Sequence, residues 1–146
     1  MGKVLKIGIT DAKGNKINSV EKVNVIKSKG LVNDRKFSDN NKKDKQITLI
    51  EIENINLYNK KFGTNIEPLD FRRNIITKDI YLNNLLSKEF MVGNIRLKAH
   101  DLCRPCKYLQ KKLNIDNFVK EFLLKGGIRC EIMNTGTINL GDIIKV

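Results

Sequence analysis

The sequence predicts a mainly β protein with a few short helices (α+β), folded as a mixed or antiparallel β-barrel. Three observations support this fold class. Apolar residues recur mostly with a period of two, only two or three segments carry helical spacing, and strands and helices do not alternate along the chain. The chain has 146 residues, of which 40% are apolar and 30% charged, so it is expected to form one globular domain over 1–146.

The predicted strands are short stretches in which apolar and polar residues alternate between turn-forming residues. They cover 4–9, the region around Val23 and Val25, 46–50, 71–77, 95–100, 129–133 and 140–146. The polar segments 29–37 and 40–45 are predicted to be loops. This spacing of short strands is typical of a barrel and not of a doubly wound sheet.

Three segments are predicted to be helical. Residues 51–62 carry apolar side chains at helical spacing, with Gly63 just beyond the last turn. Pro105 is suited to the first position of a short helix over 105–112, because its missing N–H costs nothing there. A further helix is expected near 115–125, with Asn114 as its N-cap and Gly126-Gly127 at its end.

The net charge is +12, but only six of the 28 basic residues are arginine. Arginine is the residue that clamps phosphates and reads bases, and the lysines are scattered, so no specific nucleic-acid partner is expected. The lysines are instead expected to form a solvated surface without a specific partner, or to attract an anionic ligand through their positive field. No apolar run is long enough to span a membrane and no signal-peptide pattern is present, so the chain is expected to be a soluble cytoplasmic protein without membrane contact.

Cys106 is the strongest candidate for a reactive group. It lies in the first turn of the helix predicted to begin at Pro105, between Arg104 and Lys107. Unpaired backbone N–H groups, the helix dipole and adjacent cations all lower a thiol pKa and populate the thiolate, the form that attacks or binds metal. Cys106 is therefore expected to be the most reactive thiol of the chain.

Other interpretations of the cysteines remain open. His100, Cys103, Cys106 and Cys130 have the ligand count of a structural zinc site. Cys103 and Cys106 have the spacing of a redox pair, although the βαβ context of that motif is missing. Cys130 lies in a strand pattern, where a cysteine is commonly a small buried apolar residue.

Two basic clusters are candidates for ligand binding. Arg72 and Arg73 precede Asn74, and on a strand over 71–77 the residues Arg72 and Asn74 would share a face. They would then offer guanidinium and amide donors to a phosphate or a heteroaromatic ring. The second cluster is the turn-rich loop from Lys29 to Arg35, in which Asn33 suits a left-handed turn position.

The order of these motifs resembles one family, the MOSC domain, named after the C-terminal domain of molybdenum cofactor sulfurases. The resemblance runs over nearly the whole chain. It rests on Lys29-Gly30-Leu31-Val32-Asn33-Asp34-Arg35, Gln46-Ile47-Thr48-Leu49-Ile50, Arg72-Arg73-Asn74-Ile75, Cys103-Arg104-Pro105-Cys106, Gly126-Gly127-Ile128-Arg129 and Gly141-Asp142-Ile143-Ile144. Asn33 stands where the family commonly has glycine.

The resemblance implies a mixed β-barrel that handles molybdenum cofactor (molybdopterin) or sulfur. It implies that Cys106 ligates molybdenum or carries sulfur, and that Arg72 and Asn74 hold the pterin and phosphate of the cofactor. The other cofactor-binding candidates are Arg35, Lys29 and Arg73. Pyridoxal phosphate is not expected in this chain alone. We expect Arg72, Asn74, Arg35 and Cys106 to converge on one pocket, with Cys106 at its floor and Lys29 at its positive rim.

Three functions follow from these expectations. The first is a protein that binds molybdenum cofactor or carries sulfur to it from a cysteine desulfurase or another cofactor-biosynthesis protein, using soft thiolate chemistry. The second is a small molybdenum-dependent reductase of N-hydroxylated compounds. The third is a non-catalytic binding module with a Cys/His zinc site or no metal. If the protein is an enzyme, it is a sulfur transferase or a molybdenum-dependent oxidoreductase.

Overall fold

A computed structural model describes residues 1–104, 110–111, 121–122 and 124–146. Within these residues, seven strands close into a barrel of mixed topology, which confirms the predicted fold class. In chain order the strands are β1 (Gly2–Ile9), β2 (Asn18–Val20), β3 (Lys22–Ile26), β4 (Gly30–Leu31), β5 (Ile47–Glu51), β6 (Ile75–Lys78), β7 (Glu89–Val92), β8 (Ile95–Leu102), β9 (Ile128–Ile132), β10 (Gly136–Asn139) and β11 (Ile143–Lys145).

The barrel runs in the order β11, β7, β8, β9, β5, β6 and β1, and it closes where β1 pairs with β11. The β5–β6 pair is parallel, and the other neighbours in the ring are antiparallel. Strand β2 extends the sheet beyond β1, while β10, β3 and β4 form a separate sheet of three strands. A parallel pair needs a crossover connection, which explains why the helix stands between β5 and β6.

Helix α1 (Ile52–Phe62) confirms the helix predicted over 51–62. It ends at Gly63, whose φ of 63° is the left-handed conformation that glycine adopts without strain. Two 3-10 turns, Pro68–Phe71 and Leu82–Leu85, were not predicted. The helices expected over 105–112 and 115–125 lie largely outside the described residues.

The core has two parts, one on each side of the barrel wall. Ile47 and Leu49 of β5 point into the barrel, whereas Ile50 packs on the outside with residues of α1 and with Phe71 and Phe122. All five residues of β5 are consequently buried. A strand covered on both faces can carry apolar residues at successive positions, as Leu49 and Ile50 do here.

The predicted boundaries need three corrections. Strand β6 begins at Ile75 and not at Phe71, because Phe71 ends a 3-10 turn and Arg72 follows it in the left-handed region with φ of 64°. Strand β11 is limited to Ile143–Lys145. Strands β2, β4, β7 and β10 were missed, since each has only two to four residues, too few to display an alternating pattern.

In the part of the chain that the structure describes, no helix is both long enough and apolar enough to cross a membrane.

Candidate functional site

A basic cavity lies on the outer face of the barrel, where β5 pairs with β9. Thr48 of β5 stands opposite Arg129 of β9, and the neighbouring residues of both strands point into the barrel core. The cavity has a volume of about 260 Å³, and its walls are formed by Lys36, Thr48, Arg73, Cys103, Arg104 and Arg129. Four cations, a hydroxyl and a thiol therefore surround one small space, which suits an anion.

A second cavity adjoins the first and is called the outer cavity below. Its volume is about 350 Å³, and it is lined by Lys36, Asn41, Asp44, Lys45 and Arg129. Lys36 and Arg129 belong to both cavities, so the two spaces form one two-part cleft. The outer cavity differs from the basic cavity in having a carboxylate and an amide among its cations.

A β-bulge in β8 aligns the acid that organises the cleft. The register between β8 and β9 shifts between Ala99 and Asp101, which places Asp101 opposite Arg129. One carboxylate oxygen of Asp101 lies 3.0 Å from an Arg129 nitrogen, and the other lies 3.4 Å from Arg104. The pKa of Asp101 is lowered, first by the backbone N–H of Leu102 and then by Arg129, so this carboxylate stays ionised and holds both guanidinium groups in place.

Arg73 enters the basic cavity from the segment just before β6. Its Nε donates to the carbonyl oxygen of Gly126 at 2.9 Å, which ties the guanidinium to the segment that leads into β9. A side chain at Gly126 would lie 2.6 Å from the carbonyl oxygen of Cys103, so glycine is needed for these two segments to pass each other. The Gly-Gly pair of the sequence therefore shapes the wall of the cavity beside Arg73.

Within the basic cavity, Lys36 is half-buried and Cys103 is buried. Burial lowers the pKa of Lys36, and the positive charges of Arg35 and Arg73 lower it further. Burial raises the pKa of the Cys103 thiol, while Arg73, Lys36 and Arg129 act in the opposite direction. The repulsion among these cations would be relieved by a bound anion, which would also favour the charged form of Lys36.

Cys106 lies outside the described residues, three positions after Cys103. Its predicted role and its predicted position at the floor of a pocket remain predictions. The structure nevertheless bears on the other two thiols, which are free and buried. Burial raises the pKa of Cys103 and raises that of Cys130 well above the usual value.

We therefore expect Cys106 to be alkylated first when the folded protein is treated with iodoacetamide at pH 7. Cys103 and Cys130 are buried and carry raised pKa values, so both access and thiolate population oppose their reaction. Peptide mapping by mass spectrometry after a short exposure identifies the labelled thiol. Earlier labelling of Cys103 or Cys130 would show that the reactive residue is assigned wrongly.

Arg72 and Asn74 are held in the framework beside the cavity and do not line it. Arg72 is buried, and its Nη1 donates to the carbonyl oxygen of Asn15 at 2.9 Å. The Asn74 side chain accepts from the Thr48 backbone N–H at 3.1 Å and donates to the Gly8 carbonyl at 3.2 Å. These contacts connect β1, β5 and the start of β6. Asn74 does not line the cavity itself, but it contacts Thr48, which does.

The loop from Lys29 to Arg35 also stands back from the cavity. Asn33 has a φ of 69°, which confirms the left-handed conformation expected for it. Lys29 pairs with the carboxylate of Asp39 at 3.4 Å, and the backbone N–H of Arg35 donates to the carbonyl oxygen of Thr10. Neither Lys29 nor Arg35 is among the lining residues, but Lys36, the next residue, is.

Several of the motifs quoted from the sequence lie at or next to the cavity, but most of the binding residues predicted in them do not line it. Of the cofactor-binding candidates, only Arg73 lines the cavity. The lining residues Lys36, Thr48, Arg104 and Arg129 were not selected as binding residues, although three of them fall inside the quoted motifs and Lys36 directly follows one. Alternation could have assigned Thr48 and Arg129 to the outer face of their strands, but no alternation rule applies to the irregular segments that carry Lys36, Arg73 and Arg104.

The described residues contain no group of three or more His, Cys, Asp or Glu side chains that could hold a metal ion. Nε2 of His100 lies 2.8 Å from a carboxylate oxygen of Glu131, and Cys103 and Cys130 are free thiols. The zinc interpretation also required Cys106, which lies outside the described residues.

Comparisons with known structures identify the same fold in other proteins. The YuaD protein of Bacillus subtilis is 20% identical, with a TM-score of 0.82 over 99% of this chain and 94% of that one. YiiM from Geobacillus stearothermophilus is 15% identical, with a TM-score of 0.80 over 99% of this chain and 74% of that one. YiiM from Escherichia coli is 15% identical, with a TM-score of 0.73 over 98% and 68%.

A search of curated proteins found no match. At the identities above, the structural likeness shows the fold alone. The family model of the MOSC domain, however, matches residues 32–145, which is most of the chain and includes every residue that lines the basic cavity. The chain belongs to the MOSC domain family.

Proposed function

We propose that this protein binds molybdenum cofactor or carries sulfur to it, with Cys106 as the molybdenum ligand or persulfide carrier. The observation that carries the proposal is the basic cavity, whose wall includes Cys103 and Arg104, the residues that directly precede Pro105-Cys106. The sequence therefore tethers Cys106 within a few residues of a cavity suited to an anion.

The residues of the cavity fit the anionic part of such a cofactor. Guanidinium groups match the oxygens of a phosphate with two parallel hydrogen bonds, and Lys36 adds a point charge. Nε of Arg129 is buried and has no hydrogen-bond partner in the described part of the chain, so it remains available as a donor to a ligand. A soft thiolate at Cys106 suits both molybdenum and sulfane sulfur. When bound, the cofactor would supply a redox-active metal.

For the sulfur-carrier role, the donor would be a cytoplasmic cysteine desulfurase or another cofactor-biosynthesis protein. The Cys106 thiolate would attack the outer sulfur of the persulfide on the donor. A sulfur–sulfur bond would form on Cys106, and the donor cysteine would leave as its thiolate, so that atoms and electrons balance. Arg104 and the other cations would favour the thiolate that makes this attack.

The proposal is tested by intact-mass and metal analysis of protein purified from cells that make molybdenum cofactor. We expect either bound molybdenum and pterin or a mass increase of one sulfur atom. Cys106→Ser should abolish ligation of the metal by the protein or the added sulfur, and it should reduce pterin retention only modestly, because the basic cavity remains. Cys130→Ala, which changes a buried thiol inside the barrel, is the matched control.

Retention of the added sulfur or of a molybdenum–thiolate bond to the protein by Cys106→Ser would assign the thiolate role to another residue. Wild-type protein with neither molybdenum, pterin nor added sulfur would overturn the proposal. Stoichiometric zinc in the same sample would support the non-catalytic module instead.

A further inference from the structure

The outer cavity contains a feature that an anion does not explain. Asp44 places a carboxylate among Lys36, Lys45 and Arg129. Its nearer carboxylate oxygen lies 3.5 Å from Arg129, a longer contact than the 3.0 Å between Arg129 and Asp101. The side chain of Asp44 is 36% exposed. Since Asp101 is the closer ion-pair partner of Arg129, Asp44 can direct its carboxylate oxygens to a ligand with little loss of interaction energy.

Hydrogen bonds between two of its side chains and backbone groups fix the position of the loop that carries Asp44. The side-chain nitrogen of Asn41 donates to the carbonyl oxygens of Lys36 at 2.7 Å and of Lys29 at 2.8 Å. Gln46, at the end of the same loop, accepts from the backbone N–H of Ile132 at 2.8 Å. Asp44 therefore stands in a loop anchored at both ends, and its distance from Lys36 and Arg129 is held by the fold.

We propose that Asp44 selects the ligand by accepting two hydrogen bonds from a 2-amino-4-oxopyrimidine edge, the edge shared by pterins and guanine. The ring N–H and the exocyclic amine of that edge are adjacent donors, and a carboxylate is the side chain that accepts both. The anionic end of the same ligand lies in the basic cavity. This inference rests on the proposed function and adds to it the residue that distinguishes the heterocycle.

The dimensions of the cleft agree with a ligand of two parts. The basic cavity of about 260 Å³ is smaller than most small-molecule sites, and the outer cavity of about 350 Å³ is near their lower limit. Lys36 and Arg129 lie at the junction, so they would contact the middle of a ligand that fills both cavities. A phosphate fits the inner part and a bicyclic heterocycle the outer part.

The experiment compares the binding of four compounds by isothermal titration calorimetry. Neopterin monophosphate and GMP carry the 2-amino group, IMP lacks it, and inorganic pyrophosphate reports on the basic cavity alone. We expect the wild-type protein to bind at least one of the first two about tenfold more tightly than IMP, the lower end expected for one hydrogen bond to a charged group. Whichever of the two binds more tightly identifies a pterin or a guanine as the source of the edge.

The variant Asp44→Asn should remove most of this preference, because an amide cannot accept both hydrogen bonds. Its affinity for pyrophosphate should stay the same or increase, since a negative charge near the cleft is lost. Asp39→Asn is the matched control, because Asp39 lies in the same loop region but pairs with Lys29 and does not line either cavity. It should retain the wild-type preference.

Equal binding of IMP and the two amino compounds, or an unchanged preference in Asp44→Asn, would overturn the inference. In both cases tight binding of pyrophosphate would leave the proposed function standing. Failure of pyrophosphate to bind would count against the proposed function itself, so the two failures are distinguishable.

Discussion

Replacing Arg73 by Met is expected to weaken the binding of pyrophosphate about 100-fold. Arg73 lines the basic cavity with Lys36, Arg104 and Arg129, and its guanidinium is held by the Gly126 carbonyl. The loss of a charge-assisted hydrogen bond to a partly desolvated anion costs about 2–5 kcal/mol, and 100-fold lies in the lower half of that range. Methionine keeps much of the side-chain length, so the wall of the cavity is largely retained.

Isothermal titration calorimetry at two salt concentrations measures this effect, and thermal unfolding checks that the fold is retained. The control is Arg96→Met. Arg96 lies near the start of β8, whereas Asp101, which pairs with two arginines of the cavity, lies near its end, and Arg96 pairs with Glu89 at 3.7 Å. Its removal takes away the same unit of net charge without touching the cavity. If both variants lose the same affinity, the binding reflects the overall charge of +12 and not the basic cavity.

Replacing Asn74 by Ala is expected to lower the free energy of unfolding by about 3 kcal/mol. The Asn74 side chain is buried and hydrogen-bonds the Thr48 backbone N–H, the Thr48 hydroxyl and the Gly8 carbonyl. Its removal leaves a buried N–H and a buried carbonyl without partners, at about 1–3 kcal/mol each. For a domain of this size the melting temperature should fall by about 6–12 °C.

Chemical denaturation and thermal unfolding measure the loss, and Asn56→Ala, at an exposed position in α1, should change stability little. The pair also tests the role that the family resemblance implies for Asn74. A stable Asn74→Ala protein that no longer retains cofactor would support direct contact with the ligand. An unstable protein in which the remaining folded fraction binds normally would assign Asn74 to the framework.

The sequence by itself determined the fold class and six of the seven strands that form the barrel wall, all except β7. Strand β5 carries apolar residues on both of its faces because both are covered, and α1 carries one apolar stripe because only one of its faces is buried. Such patterns depend only on residues that are close in sequence, so they can be recognised without knowing which other segment they pack against. The order of the motifs likewise indicated the MOSC family, which the family model confirms.

Only the tertiary structure decided which residue of an irregular motif faces the cleft. Arg72 and Arg73 are adjacent and chemically alike, yet one donates to Asn15 and the other lines the basic cavity. The difference arises from the left-handed backbone at Arg72, and from a neighbouring segment that is distant in sequence, where Gly126 accepts from Arg73. Side-chain direction in irregular segments depends on long-range packing of this kind, which the pattern of residues along the sequence does not show.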